Sequence, residues 1–175
     1  MIAYTVQPLQ QYHQLKEKGY LEGTQERMWE LFHKQYQWML NQMTQKIPTY
    51  HGETYPIWVY QKKPDRNIPH LLPKGTKGVI LKLELSDEEA LWSCGRAWQK
   101  ILQNKPILGN RAEWEEFKKT NTLDSIEKTW TRMFDFNWLN SPENDLTHTK
   151  QKWIQGVTPR ITPSHLIKVE RFIAK

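Results

Sequence analysis

Alternating hydrophobic and polar residues predict about five β-strands along the chain. Segment 2–7 alternates up to a proline, and segment 55–61 is rich in aromatic and β-branched side chains. Segment 78–85 gives the clearest strand pattern, with apolar and charged residues alternating in its second half. Such alternation is typical of a strand with one buried face and one wet face. Two closing strands are predicted at 153–157 and 166–173.

Apolar residues at spacings of three and four predict about five helices. A first helix follows Pro8 and is expected to stop at Gly19, because glycine readily adopts the conformation that ends a helix. The strongest pattern begins after Thr24, a suitable N-cap, and predicts a long helix that reaches Ile47. Three more helices are predicted. The first opens at Ser86 and carries Leu91, Trp98, Ile101 and Leu102, with an interruption near Gly95 left open; the second opens at Asn110, and the third has its apolar face at Ile126 to Phe134.

The order of these elements is strand, two helices, two strands, three helices and two strands. It lacks the regular alternation of strand and helix that builds a doubly wound parallel sheet. We therefore expect an α+β fold, with one or more small mixed or antiparallel sheets of about five strands and about five helices. A chain of 175 residues is expected to form a single domain, residues 1–175.

The aromatic content of the chain favours a folded core despite the polar mean hydropathy. The mean hydropathy of -0.80 is polar, but nine tryptophans, seven tyrosines and five phenylalanines make up 12% of the chain. Because aromatic side chains bury the most area each, they can close a core in a polar chain. We therefore expect a folded protein with a tryptophan-rich core rather than a disordered chain.

The net charge of +6 and the pI near 9.3 favour an anionic partner. Nucleic acid, an anionic nucleotide and an acidic protein surface all fit this charge. The lysines are spread along the chain rather than gathered in a run. A basic, solvated surface with no dedicated partner is therefore an equally weighted alternative.

Several kinds of site and location are disfavoured by the sequence. Cys94 is the single cysteine, so neither an intramolecular disulfide nor a paired-thiol zinc site is expected. The chain has no glycine-rich dinucleotide motif and no phosphate-loop motif, and its histidines lack metal-binding spacing, so no metal site is expected. No secretory leader or long apolar stretch is visible, so we expect a cytoplasmic protein that does not contact membranes.

An aromatic strand supplies the first candidate ligand-binding side chains. Trp58 and Tyr60 are two residues apart on a predicted strand, so their rings share one face. Together they could stack on a base or a nicotinamide ring. Core packing is the more common role for rings on a strand, so both interpretations stay open.

The proline-rich segment 62–77, which follows this strand, supplies the candidate cations. Lys63 and Arg66 flank a Pro-Asp pair, and Arg66 could bind a phosphate through two parallel hydrogen bonds. Lys74 and Lys77 alternate with glycines, where backbone N–H groups and two cations could face a phosphate. The alternatives are a Pro-Asp turn with a solvated Arg66, and an ordinary loop with lysines in solvent.

In this order, the segments resemble an uncharacterised bacterial domain family of unknown function, found in short proteins of bacteria and their mobile elements. The resemblance covers nearly the whole chain, through Tyr4–Pro8 with Gly19, Tyr36–Met39 with Met43, Tyr55–Trp58, Lys63–Arg66, Lys74–Gly78, Trp130–Asp135 and Ile154–Gln155. The family pattern has an Asp in a Ser-Asp-Phe stretch and a His in a Trp-His pair. Here these stretches read Ser93-Cys94-Gly95 and Trp98-Gln99. If the missing Asp and His carry chemistry, this member has lost it.

The element order also resembles that of small ADP-ribosyltransferases, at the level of fold alone. This resemblance implies an NAD molecule in a cleft between two sheets. Tyr4, Thr5 and the segment 58–60 would line that cleft, and Gln155 would lie near the usual catalytic glutamate. A glutamine cannot act as a base, and this departure argues against ordinary transferase chemistry.

Three functional hypotheses follow from the sequence. The first is a binding protein for a phosphate-bearing ligand, either nucleic acid or nucleotide, which needs no cofactor. Its ligand-binding residues are expected to be Tyr4, Thr5, Trp58, Tyr60, Lys63, Arg66, Lys74, Lys77 and Gln155. The second is an NAD-dependent enzyme of the ADP-ribosyltransferase type, and the third is a protein–protein inhibitor or a defence-linked module. The sequence leaves open whether the protein is an enzyme, which residues would be catalytic, and its oligomeric state.

Overall fold

The computed structural model describes residues 1–25, 30–69, 71–144 and 153–175. The chain divides into two compact units, the first containing residues 1–91 and 156–175 and the second containing residues 92–155. The expectation of a single domain over residues 1–175 stays a prediction. No helix in the described part of the chain has both the length and the apolar character needed to cross a membrane.

The fold is α+β, as the sequence predicts. The strands of the described residues are β1 (Ile2–Pro8), β2 (Leu21–Glu22), β3 (Ile57–Tyr60), β4 (Lys77–Glu84), β5 (Leu91–Cys94), β6 (Ile154–Thr158), β7 (Arg160–Ile161) and β8 (Leu166–Ile173). The α-helices are α1 (Leu9–Lys18), α2 (His33–Lys46), α3 (Gly95–Leu102), α4 (Arg111–Phe117), α5 (Leu123–Lys128) and α6 (Phe136–Leu139). Short 3₁₀ turns lie at Glu30–Phe32, Trp130–Phe134 and Pro163–His165.

Six strands form one sheet in the order β5-β6-β3-β1-β4-β8, and β2 pairs with β7 in a separate two-stranded sheet. Strand β1 pairs antiparallel with β4 along its whole length and with β3 at Tyr4 opposite Tyr60. Strand β4 in turn pairs antiparallel with β8. The predicted sheet is therefore confirmed as mostly antiparallel, and it has one more strand than expected.

The two faces of this sheet differ in burial, because side chains alternate along each strand. Along β1, Ala3, Thr5 and Gln7 are buried, whereas Tyr4 and Val6 are half-buried. The buried face belongs to the core of the first unit, which also contains Leu15 of α1 and the methionines Met39 and Met43 of α2. The half-buried face is the one on which the candidate site lies.

The second unit is built on α3 to α6 and has its own core. Trp130, Met133 and Ile101 are fully buried there. The indole N–H of Trp130 donates to the carbonyl oxygen of Lys105 at 3.0 Å, which satisfies the polar atom of a buried ring. Asn110 caps α4 by accepting a hydrogen bond from the backbone N–H of Glu113 at 2.9 Å, so the predicted start of this helix is confirmed.

The helix predicted to open at Ser86 is confirmed from Gly95 to Leu102, but its predicted start is wrong. The Ser86 backbone N–H does donate to the Glu89 side chain at 2.8 Å, but the chain then turns and enters strand β5. Within β5, Ser93 and Cys94 are buried, and the helix α3 begins only at Gly95. A local cap therefore forms without a helix behind it, because pairing in the sheet overrides the local signal.

Two other expectations are corrected in part. The long helix predicted from Thr24 to Ile47 is observed as α2 over His33–Lys46 with a 3₁₀ turn before it, and residues 26–29 lie outside the described residues. The core is less rich in tryptophan than expected. Of the tryptophans that the structure describes, only Trp98 and Trp130 are buried, while Trp114 and Trp153 are each 40% exposed.

Candidate functional site

A cavity of about 770 Å³ lies on the half-buried face of the first unit. Its floor includes Val6 of β1 and both Trp58 and Tyr60 of β3. We call it the aromatic cavity, and its described lining is Val6, Gln7, Pro8, Gly23, Thr24, Tyr36, Tyr55, Pro56, Ile57, Trp58, Tyr60, Leu71, Leu72, Pro73, Lys74 and Lys175. Its volume is within the range of typical small-molecule sites, which is roughly 300–1,000 Å³.

Four aromatic residues line this cavity: Tyr36, Tyr55, Trp58 and Tyr60. Tyr36 of α2 packs edge-on against Trp58, with ring centroids 6.4 Å apart and an interplanar angle of 89°. A side-chain hydrogen bond also joins these two residues. Burial raises the pKa of Tyr36 and that of Tyr60, so both phenols stay neutral near pH 7. The cavity therefore offers neutral, oriented π surfaces of the kind that stack on a base.

Hydrogen bonds fix the strands that carry these rings. The Thr5 hydroxyl donates to the carbonyl oxygen of Trp58 at 2.8 Å, and the amide of Gln7 donates to the same Thr5 hydroxyl at 2.9 Å. Thr5 is 1% exposed and Gln7 is 5% exposed, so these bonds are shielded from water. Thr5 does not line the cavity. Its hydroxyl supports the strand that carries Trp58, and its expected role in ligand binding stays a prediction.

The charged side chains that line the aromatic cavity are lysines. Lys74 and Lys175 line it, and its described lining contains no carboxylate side chain. Lys74 reaches the cavity from the segment that follows β3, and Leu71 to Pro73 of the same segment form part of the wall. The structure thus brings Trp58, Tyr60 and Lys74 together, three of the residues that the sequence singles out.

Lys63 and Arg66 lie elsewhere, against Glu170 of β8. The Lys63 ammonium is 2.6 Å from one Glu170 carboxylate oxygen, and the Arg66 guanidinium is 3.9 Å from the other. These residues line a separate cavity of about 520 Å³ together with Pro64, Asp65 and Asn67. Asp65 accepts a hydrogen bond from the Asn67 backbone N–H at 2.9 Å, as in the Pro-Asp turn that is the alternative expectation.

The glycine-containing segment Lys74–Gly78 does not offer the backbone N–H groups that its composition suggests. The N–H of Gly75 donates to the carbonyl oxygen of Ala174 at 2.8 Å, and the N–H of Thr76 donates to Pro73 at 3.0 Å. Gly78 lies inside β4, where an added Cβ would be 2.7 Å from the Phe172 ring. A phosphate contact from this segment therefore depends on a lysine side chain. Lys77 is exposed and does not line the aromatic cavity.

The remaining predicted site residues are Tyr4 and Gln155. Tyr4 is half-buried beside Tyr60 on the same sheet face but outside the cavity lining. Gln155 belongs to the second unit, where it is 4% exposed and its carbonyl oxygen accepts a hydrogen bond from Ser93 at 3.4 Å. Its side-chain nitrogen has no hydrogen-bond partner among the described residues. The roles expected of both residues in ligand binding stay predictions.

The positions at which the chain departs from the family pattern lie in the second unit. Ser93, Cys94 and Gly95 are all buried, and Trp98 is 6% exposed. The indole of Trp153 lies so close to Gly95 that an added Cβ would be 2.7 Å from the ring. The aspartate of the family pattern would therefore stand at Cys94, a buried position in this chain.

Sequence reasoning missed Tyr36, Gln7 and Tyr55 as lining residues of the aromatic cavity. Tyr36 fits the apolar face of α2 by its spacing, and nothing in that spacing separates a core ring from a ring at a cavity. Gln7 is a strand residue on the side that alternation assigns to the core. Tyr55 falls in a predicted strand that in fact begins at Ile57.

No pattern in the sequence indicates a second, polar cavity of about 500 Å³ in the first unit. Two side-chain pairs line it, Glu22 with Arg160 and Glu89 with His165 at 3.1 Å. The His165 Nδ1 atom accepts a hydrogen bond from the backbone N–H of Thr162 at 3.0 Å, so this nitrogen also caps a turn. The polar cavity is lined by the carboxylates Glu22, Glu53 and Glu89, which makes it less suited to an anionic ligand than the aromatic cavity.

Comparison with known proteins identifies the family of this chain. A family model described as Domain of unknown function (DUF3841) matches residues 2–123. No curated protein and no solved structure matches the chain. The matched range contains every described lining residue of the aromatic cavity except Lys175. The predicted membership of an uncharacterised family is confirmed, and the likeness to ADP-ribosyltransferases stays a prediction.

Proposed function

The chain belongs to the DUF3841 family, whose function is unknown, and we propose that its aromatic cavity binds a free nucleotide. The base stacks on Trp58 and Tyr60, and the phosphate contacts Lys74. The observation that carries the proposal is the combination of oriented, neutral rings with an unopposed cation in one cavity of suitable volume. The expected cytoplasmic location agrees with this function, because free nucleotides are abundant there.

Ring geometry supports the base-binding half of the proposal. The edge-on contact with Tyr36 restricts the orientation of the Trp58 indole plane. The fixed backbone of Trp58, bonded to Thr5, reduces the freedom that the site loses on binding. A preformed stacking surface can accept any of the bases, since every base has a π-face.

Charge supports the phosphate-binding half. Lys74 is exposed at the cavity and forms no salt bridge within the described residues, whereas Lys63 and Arg66 are held by Glu170. A lysine with no carboxylate partner keeps its full charge for an anionic ligand. The preference for a small ligand follows from the volume of the cavity, about 770 Å³, which can hold a base with its sugar and phosphate.

Calorimetric titration with AMP, adenosine and inorganic phosphate tests the proposal. Trp58→Leu, which keeps an apolar side chain but removes the indole, should weaken AMP and adenosine alike by about 1–3 kcal/mol. Lys74→Gln should weaken AMP by up to about 1 kcal/mol and leave adenosine unchanged. Lys77→Gln is the matched control, because this exposed lysine does not line the cavity.

Two results would contradict the proposal. The first is that AMP does not bind the wild-type protein even at low salt. The second is that Lys77→Gln lowers AMP affinity as much as Lys74→Gln does, since the loss would then reflect net charge rather than the cavity. Circular dichroism of each variant checks that the fold is intact.

The other two hypotheses stay predictions. Transfer of a labelled ADP-ribose group from NAD to protein or nucleic acid would favour the enzyme. Isolation of one stable protein complex would favour the inhibitor or defence-linked module. Neither hypothesis predicts that Lys74→Gln separates AMP binding from adenosine binding.

A further inference from the structure

The sheet face that carries the aromatic cavity continues to the opposite edge of the sheet. Directly opposed residues of antiparallel strands point to the same face. Val6 lies opposite Ile80, and Ile80 lies opposite Glu170, so Glu170 of β8 shares the face of the cavity floor. Neighbouring strands are about 4.8 Å apart, which places Glu170 about 10 Å from Val6 across the sheet.

Glu170 contacts two cations at once. Lys63 donates to it at 2.6 Å and Arg66 lies 3.9 Å from its second oxygen. The hydrogen bond and charge of Lys63, followed by the charge of Arg66, hold the pKa of Glu170 below its usual range. The carboxylate therefore stays ionised and occupies the place that a phosphate would take between these cations.

Cations outnumber carboxylates around Glu170. On the same face Lys82 lies directly opposite Lys168, and neither forms a salt bridge within the described residues. The cations near this edge include Lys63, Arg66, Lys82 and Lys168, and the carboxylates include Asp65, Glu84 and Glu170. Without Glu170 these four cations would face two carboxylates instead of three, so the surface beside the cavity would be more basic.

From this arrangement we infer that Glu170 makes the aromatic cavity selective for a free nucleotide and disfavours a single-stranded oligonucleotide. The inference rests on the proposed nucleotide function of the cavity. An oligonucleotide with one base in the cavity carries further phosphates across the sheet face. These phosphates meet the Glu170 carboxylate, which repels them and already occupies Lys63 and Arg66. A free nucleotide ends at Lys74 and avoids this contact.

The test compares AMP with fluorescently labelled single-stranded DNA and RNA of about eight nucleotides, a length within the range of single-strand sites. Glu170→Gln should raise oligonucleotide affinity by roughly five- to twentyfold at low salt, the effect of one or two exposed ionic contacts. It should also make the slope of log K against log salt concentration more negative, by about 0.7 for each additional phosphate that the protein neutralises. Affinity for AMP should not change.

Matched variants separate charge at this position from other effects. Glu17→Gln, on an exposed position of α1, changes the net charge equally and should leave oligonucleotide binding unchanged. Glu170→Asp keeps the carboxylate and should keep oligonucleotide binding weak. Adding Lys63→Gln to Glu170→Gln should remove most of the increase in affinity, which a merely loosened segment would not do.

The outcomes distinguish this inference from the proposed function. If Glu170→Gln binds oligonucleotides no better than Glu17→Gln does, or if the wild type binds them more tightly than AMP, the inference is overturned while the cavity proposal stands. If AMP does not bind but Glu170→Gln still binds oligonucleotides more tightly than the wild type, the cavity proposal fails and the repulsion by Glu170 stands.

Discussion

Replacement of Thr5 by valine removes a hydroxyl that joins two strands behind the aromatic cavity. The hydroxyl donates to the Trp58 carbonyl at 2.8 Å and accepts from the Gln7 amide at 2.9 Å. Valine has nearly the same shape, so the substitution deletes two hydrogen bonds and leaves little or no void. Each former partner would then lose its bond to Thr5 in a region where Thr5 is 1% exposed and Gln7 is 5% exposed.

The size of the effect follows from these two lost hydrogen bonds. One hydrogen bond contributes a net of about 0.5–1.5 kcal/mol to stability. Gln7 borders the cavity, where water can replace part of its lost bond, so its share falls at the low end. We expect Thr5→Val to lower the free energy of unfolding by about 1–2 kcal/mol.

Urea denaturation, monitored by tryptophan fluorescence, measures this loss. The slope of the free energy of unfolding against urea concentration should stay unchanged. Thr5→Ser is the control, because it keeps the hydroxyl and loses one methyl group, at a cost of about 1 kcal/mol. A valine variant as stable as the wild type, or a serine variant as damaged as valine, would refute the reasoning. AMP affinity should change less than twofold if Thr5 only supports the floor; a larger loss would favour the predicted ligand contact.

Two further predictions concern the first unit. Gly23→Ala would place a Cβ atom 2.2 Å from the Tyr55 carbonyl oxygen, so the bridge between these residues must move; we expect a loss of about 1–3 kcal/mol in urea denaturation and weaker AMP binding. An alanine variant of wild-type stability would contradict this close approach. Burial, followed by the nearby charge of Glu53, raises the pKa of Tyr50 to about 12, whereas an unfolded tyrosine titrates near 10. Because the unfolded chain loses its proton first, stability should fall as pH rises from about 10 to about 12, and Tyr50→Phe should lack this part of the slope.

Local patterns in the sequence determined much of the first unit. Gly19 ends α1 with φ of 80°, a conformation that glycine adopts without a steric cost, and the chain carries the signal at that residue. Alternation predicted β1, β4 and β8 to within about two residues and predicted that Trp58 and Tyr60 share a face. These features depend on neighbours within one turn or one strand, and so the sequence by itself was sufficient.

Tertiary structure decided the features that join distant parts of the chain. Lys63 and Arg66 read as free cations, but they contact Glu170, which is 107 residues away from Lys63 in sequence. Tyr36 reads as a core residue, but its edge-on contact with Trp58 places it at the cavity. The capping signal at Ser86 is real, yet sheet pairing makes Leu91–Cys94 a strand. A residue's own spacing determines which face it occupies, and only the packed chain determines which charge or ring that face meets.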